Sequence, residues 1–169
     1  MDEDSFRALW DAQYADVLAF CLRRLGNRHE AADATADTFL VAWRRAKEIP
    51  DQPRPWLFGV ALKVMANRRR GERRRGALTS RLSHAATAPI QTLPDEPAGA
   101  VLTAFHQLAP ADQQVLSLVV WEELTPREAA EVLSIPVARL SVRLHRAKQR
   151  LRKQLAAASQ PTDLIAEVR

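Results

Sequence analysis

The stretch that decides the fold is Thr125-Pro-Arg-Glu-Ala-Ala-Glu-Val-Leu133, Ser134-Ile-Pro136, Val137-Ala-Arg-Leu-Ser-Val-Arg-Leu-His-Arg-Ala-Lys-Gln-Arg-Leu-Arg-Lys-Gln-Leu-Ala-Ala157. Thr125 and Glu128 have the spacing of a capping box: the hydroxyl caps the amide three residues on and the carboxylate reaches back, with Pro126 in the first turn. Beyond the turn, Leu140, Leu144, Ala147, Leu151 and Leu155 recur every three or four residues. Arg139, Arg143, Arg146, Arg150 and Lys153 keep the same rhythm. At about 100° per residue, the apolar stripe centres roughly 100° from the basic one. One face packs, and the adjacent face presents cations with no acidic residue among them. A short capped helix, a three-residue turn and a long basic helix predict a helix-turn-helix. A solvated basic helix in a bundle is the plainer reading of the same pattern.

Outward from this stretch, the chain has 169 residues, 47% of them hydrophobic and 27% charged, enough to bury a core in one ordinary domain or two small ones. The net charge of +5 divides unevenly. Residues 51–76 carry eight basic and two acidic groups, and residues 139–158 carry seven basic and none acidic. Residues 77–138 between them carry two basic and seven acidic groups. Two basic islands separated by acidic protein point to two places that meet a polyanion. Cys21 is the only cysteine, which excludes an intramolecular disulfide and a four-cysteine zinc site. No apolar run approaches the ~20 residues that span a bilayer. No secretory signal is expected, and a cytoplasmic location is.

Helical periodicity recurs, and strand signals do not. A first helix is expected from Ser5 to Leu25, ended by Gly26-Asn27. A second is expected from about His29 to Lys47, with Ala32, Ala36, Phe39, Leu40 and Trp43 on one face. The run Ile49-Pro-Asp-Gln-Pro-Arg-Pro55 breaks it into a stiff loop. A third helix starts near Pro55, with Leu57, Val60, Ala61, Val64 and Met65 as its buried stripe. Lys63, Asn67, Arg70 and Arg74 lie on another side. From Gly71 to about Pro97 the pattern fails, which predicts a linker. Helices resume at Ala98–Leu108, Ala111–Leu124, Thr125–Leu133 and Val137–Ala157. The fold class is therefore all-α: two small helical domains, 1–75 and 98–157, joined by a flexible linker, 76–97, and followed by a tail, 158–169. The second contains the helix-turn-helix.

Several of these segments resemble one family. His29-Glu-Ala-Ala-Asp33-Ala-Thr-Ala-Asp37-Thr-Phe39-Leu-Val-Ala-Trp43-Arg-Arg45, Pro55-Trp56-Leu57-Phe58-Gly59-Val60-Ala61 and Ala66-Asn67-Arg68-Arg69-Arg70 resemble domain two of bacterial extracytoplasmic-function (ECF) RNA polymerase sigma factors. Leu108-Ala-Pro110-Ala-Asp112-Gln-Gln-Val-Leu116, Thr125-Pro126-Arg127-Glu128-Ala129-Ala130 and Arg143-Leu144-His145-Arg146-Ala147-Lys148 resemble domain four. The resemblance covers about residues 5–75 and 98–156. It implies a transcription initiation factor that binds core RNA polymerase, reads promoter DNA as duplex and as single-stranded non-template strand, and catalyses nothing itself. An anti-sigma factor is a further implied partner, and no cofactor is.

Residue by residue, the resemblance implies polymerase contacts at Asp33, Asp37 and Arg44, with Phe39 and Trp43 mostly core. It places the minus-ten element against Asp51, Gln52, Arg54, Trp56, Lys63, Asn67 and Arg70. For the minus-thirty-five element it implies Thr125, Arg139, Ser141, Arg143, His145, Arg146 and Arg150. Here the physics agrees, because the planar guanidinium holds phosphate or the guanine edge bidentately. The sequence departs from the family at Ala138-Arg139-Leu140, where Gly-Thr-Val is common, at Ser141 and Val142, at Leu62-Lys63, where Arg-Asn is usual, and at Ala36, where glutamine is frequent. The promoter sequence therefore does not transfer.

Other residues read as structural. Cys21 lies on an apolar face. His29, His84, His106 and His145 lack ligand spacing, so no metal site is expected. Trp10, Trp43, Trp56 and Trp121 read as core anchors, and Glu122-Glu123 as a solvated face. The tail residues Leu164, Ile165 and Val168 form a short stripe. Two alternatives stay open at this point: a stand-alone helix-turn-helix regulator, which leaves the first 75 residues unexplained, and a small helical enzyme, for which no nucleophile elbow or phosphate loop is present.

Overall fold

The computed structural model describes residues 2–79 and 96–158, and every regular element among them is helical. They divide into two compact units. The first contains α1 (Glu3–Leu25), α2 (Arg28–Arg44), a 3-10 turn (Ala46–Glu48) and α3 (Pro53–Thr79). The second contains α4 (Glu96–His106), α5 (Pro110–Val120), the start of α6 (Pro126–Leu133) and α7 (Val137–Ala158).

In the first unit, short-range caps set the helix ends. The Asp2 carboxylate accepts from the Ser5 amide at 2.8 Å, which holds its pKa below the ordinary value. Gly26 ends α1 in the left-handed region (φ 68°), its amide donating to the Leu22 carbonyl. Asn27 then starts α2, its Oδ1 accepting from the amides of His29 and Glu30 at 2.9 and 3.2 Å. One dipeptide thus both stops a helix and begins the next.

The packed face of α2 differs from the expected one. Ala31, Ala34, Thr35, Thr38, Phe39 and Ala42 are buried, whereas Leu40 and Trp43 are 47% and 44% exposed. Among residues so rich in alanine, hydropathy does not single out a face. The two threonines bury because each hydroxyl donates to the carbonyl four residues back, at 2.7 Å, and so satisfies itself within the helix. Phe39 anchors the face, with its ring centroid 4.6 Å from that of Trp10, while Trp43 meets Phe6 edge-on at 4.9 Å. Cys21 is buried, as expected.

Helix α3 begins at Pro53, two residues earlier than expected. Its first-turn amides lack intrahelical acceptors anyway, so Pro53 and Pro55 are both tolerated there. It also runs past Gly71 and Gly76 to Thr79. A glycine inside a helix costs only about 1 kcal/mol relative to alanine, and the arginines around these two are good helix formers. Leu57, Val60, Ala61 and Met65 are buried as expected, and Phe58 joins them, stacked on Phe20 at 4.1 Å. Of the expected linker, residues 76–79 and 96–97 are helical, and 80–95 lie outside the described residues, as does the tail from 159 onward.

In the second unit, α5 ends at Val120, four residues short of expectation. The Leu124 amide closes the turn onto the Leu118 carbonyl, with Glu123 at φ 54°. This turn buries Glu122 completely, against the expected solvated face, and leaves Trp121 47% exposed, edge-on to Phe105. The capping box forms as read. The Glu128 carboxylate accepts from the Thr125 amide at 2.8 Å and from its hydroxyl at 2.7 Å, and the Glu128 amide donates back to that hydroxyl at 3.3 Å. Such a cap contributes about 1 kcal/mol. Ser134 (φ 52°) turns the chain between α6 and α7, the Ile135 amide donating to the Ala130 carbonyl.

Along α7, Leu140, Leu144 and Ala147 are buried. Further along, Arg150 donates to the carboxylate of Asp112, a buried side chain in the first turn of α5. Removing the cation leaves a carboxylate that burial has stripped of most of its water. Arg150→Ala is therefore expected to destabilise this unit by about 1–3 kcal/mol, with Arg150→Lys intermediate. Urea denaturation in a background with Trp10, Trp43 and Trp56 replaced by Phe, followed by the fluorescence of Trp121, checks this; an unchanged midpoint would show the pair to be inert.

Candidate nucleic-acid interface

The front half of α7 separates its residues cleanly. Arg139, Ser141, Val142, Arg143, His145 and Arg146 are exposed, while Leu140, Leu144 and Ala147 face the core. Three guanidiniums one helical turn apart share this surface with the methyl groups of Val142, which is 52% exposed. Such a surface can hold phosphates and base edges together. Arg150, read with this group from sequence, is instead engaged with Asp112.

Thr125, which the resemblance implies as a minus-thirty-five contact, is exposed at the start of α6, where the capping box engages its donors. The Glu128 carboxylate already accepts from the Thr125 amide and hydroxyl. A phosphate there would have to displace a carboxylate that the chain itself supplies. A capping carboxylate and a phosphate compete for the same donors at a helix N-terminus.

On α3, Lys63, Asn67 and Arg70 are exposed along one side, at the i, i+4, i+7 spacing that keeps side chains in line. Arg70 donates to Asn67 Oδ1, and Arg74 Nε reaches the Arg70 carbonyl at 3.4 Å, so the side chains lie along the helix as a ridge. Asp51 and Gln52 are exposed in the bend before α3, and Trp56 is half-buried in its first turn. Arg54 pairs with Asp16 of α1.

The outer face of α2 carries Asp33, Ala36, Asp37, Leu40, Trp43 and Arg44, which fall within one sector of the helix. This face mixes acidic and apolar groups. Arg68 of α3 spans the two carboxylates, 3.2 Å from Asp33 and 3.7 Å from Asp37. Leu40 and Trp43 are the surface residues that the sequence reading missed. With alanine and threonine on the opposite, buried side, no hydropathy signal in the sequence marks the two as outward.

The matches to known proteins follow these units. The family model described as Sigma-70 region 2 matches residues 9–75, and that described as Sigma-70, region 4 matches residues 98–151. The chain is 31% identical over 157 residues to the ECF RNA polymerase sigma factor SigL of Mycobacterium tuberculosis, covering 88% of each protein. It is 29% identical over 169 residues to SigW of Bacillus subtilis, covering 91% of this chain and 90% of the relative. Its fold is similar to that of the sigma factor RpoE of Bartonella quintana, solved in complex with the anti-sigma factor NepR. The TM-score is 0.64 at 19% identity, over 92% of this chain and 99% of the other. On these grounds the chain belongs to the ECF RNA polymerase sigma factor family.

Proposed function

We propose that the protein is a promoter-specificity factor. It binds core RNA polymerase through the outer face of α2, carries it to DNA through α3 and α7, and helps open the strands. The observation that carries this reading is the pair of exposed basic ridges, on α3 and on α7, borne by two separate helical units in a chain of this family. A free helix-turn-helix regulator has no use for the first unit or for its acidic and apolar α2 face.

The chemistry is one of recognition. Arg139, Ser141, Arg143, His145 and Arg146 meet the minus-thirty-five major groove, where guanidinium forks read guanine edges and Val142 offers methyl contact to thymine. Asp51 and Gln52 meet a flipped base of the minus-ten element. Trp56, Lys63, Asn67 and Arg70 flank the upstream edge of the opened duplex. Opening costs a few kcal/mol per flipped base, which stacking and hydrogen bonding in the site offset. Pro50, with Pro53 directly after the loop, lowers the ordering cost of the receiving loop. No bond is made or broken by the protein itself, which works in the cytoplasm beside its template. Asp33, Asp37 and Arg44 supply polar contacts to polymerase around Leu40 and Trp43. An anti-sigma factor is the expected regulatory partner, and the complex of RpoE with NepR supports that expectation.

Run-off transcription by core enzyme over a genomic fragment library is expected to give promoter-dependent products only when this chain is added. A chain that shifts duplex DNA yet never co-purifies with core enzyme would overturn the reading. Arg143→Ala and Arg146→Ala are each expected to cost about 1–3 kcal/mol in duplex recognition and to leave core binding intact. Asp33→Ala is expected to do the reverse, weakening core binding in a titration with labelled core enzyme without changing which promoters are used.

A further inference from the structure

Arg54 is the second residue of α3, just after the loop that precedes the helix, and its side chain turns toward α1. Its Nε donates to Asp16 Oδ2 on α1 at 2.7 Å, joining positions 38 residues apart. Its guanidinium carbon lies 5.1 Å from the centre of the Phe58 ring. Phe58 stacks almost parallel on Phe20, with 7° between the planes, and the Arg24 guanidinium covers Phe20 at 3.6 Å. Phe20 and Phe58 are both fully buried, so they form a fixed column beneath Arg54. Swinging Arg54 out to a phosphate would break a charge-assisted hydrogen bond and a cation–π contact together.

We propose that Arg54 is a positioning residue that acts through Asp16 and holds the loop of residues 49–52 in its receiving conformation, without touching DNA. Pro50 in the loop and Pro53 just after it restrict the loop's dihedrals, but stiffness alone does not tie a loop to the body of a domain. The ties lie at its two ends. Before it, the 3-10 turn is closed by the Glu48 amide on the Arg45 carbonyl at 2.8 Å and by the Arg45–Glu48 ion pair at 3.5 Å. After it, Arg54 fastens the start of α3 to α1. A loop held at both ends is ordered before the base arrives, which lowers the entropic cost of capture.

This inference rests on the assignment of the loop to the minus-ten element, and its test separates the two. Backbone order at the amides of Ile49, Asp51 and Gln52 is measured on the chain alone by the {1H}–15N heteronuclear NOE. Strand opening is measured by permanganate reactivity with core enzyme on a fragment that supports run-off. Asp16→Asn and Arg54→Lys are each expected to lower the NOE at these amides. Each is expected to lower opening roughly three- to tenfold, the scale of one partly exposed hydrogen bond. The double variant is expected to be no worse than the poorer single one, and Asp16→Asn is expected to bind core enzyme as before. Arg54 would be a direct DNA contact, and the inference overturned, if Asp16→Asn left opening unchanged or raised it while Arg54→Ala lowered it. Unchanged NOE values in both single variants would overturn it equally. If the wild-type chain gives no product on any fragment, the initiation reading falls, and the NOE still decides whether the Asp16–Arg54 pair holds the loop.

Discussion

The close packing of α2 depends on residues too small or too polar to announce a core: Ala31, Ala34, Thr35, Thr38 and Ala42. Short side chains let a neighbouring helix approach, and the threonine hydroxyls satisfy themselves on their own helix at 2.7 Å. With that side spent on packing and anchored by Phe39, the large apolar side chains of Leu40 and Trp43 are turned outward. Leu40, Trp43, Asp33, Asp37 and Arg44 occupy the exposed sector as a consequence. The face read as the polymerase contact is thus the geometric complement of an alanine-threonine seam.

The cations follow a similar division. Arg54, Arg68 and Arg150 each reach a carboxylate on another helix, at Asp16, at Asp33 and Asp37, and at Asp112. They brace one helix against another. Lys63, Arg139, Arg143 and Arg146 lie on exposed faces of α3 and α7 instead. Exposed ion pairs contribute little to stability, typically 0–1 kcal/mol. The pair with Asp112 differs because that carboxylate is buried, and the pair with Asp16 because a buried aromatic column backs it. A basic island in a sequence is therefore a mixture of braces and contacts, and net charge does not tell them apart.

The sequence by itself determined the all-helical class, both basic islands, the Gly26-Asn27 break, the Thr125–Glu128 capping box and the buried Leu140, Leu144, Ala147 stripe of α7. Each of these depends on groups a few residues apart, joined by i to i+3 or i+4 geometry, and such geometry is written in the order of residues. Tertiary structure alone decided which side of α2 is buried and why Glu122 is enclosed and Trp121 half open. It alone showed that Arg54 and Arg150 have partners inside the protein. The pairs Asp16–Arg54 and Asp112–Arg150 each join positions 38 residues apart, and Asp33–Arg68 joins positions 35 apart. Such contacts depend on how whole helices approach, and that is set by side-chain volume summed along a face, which no local spacing encodes.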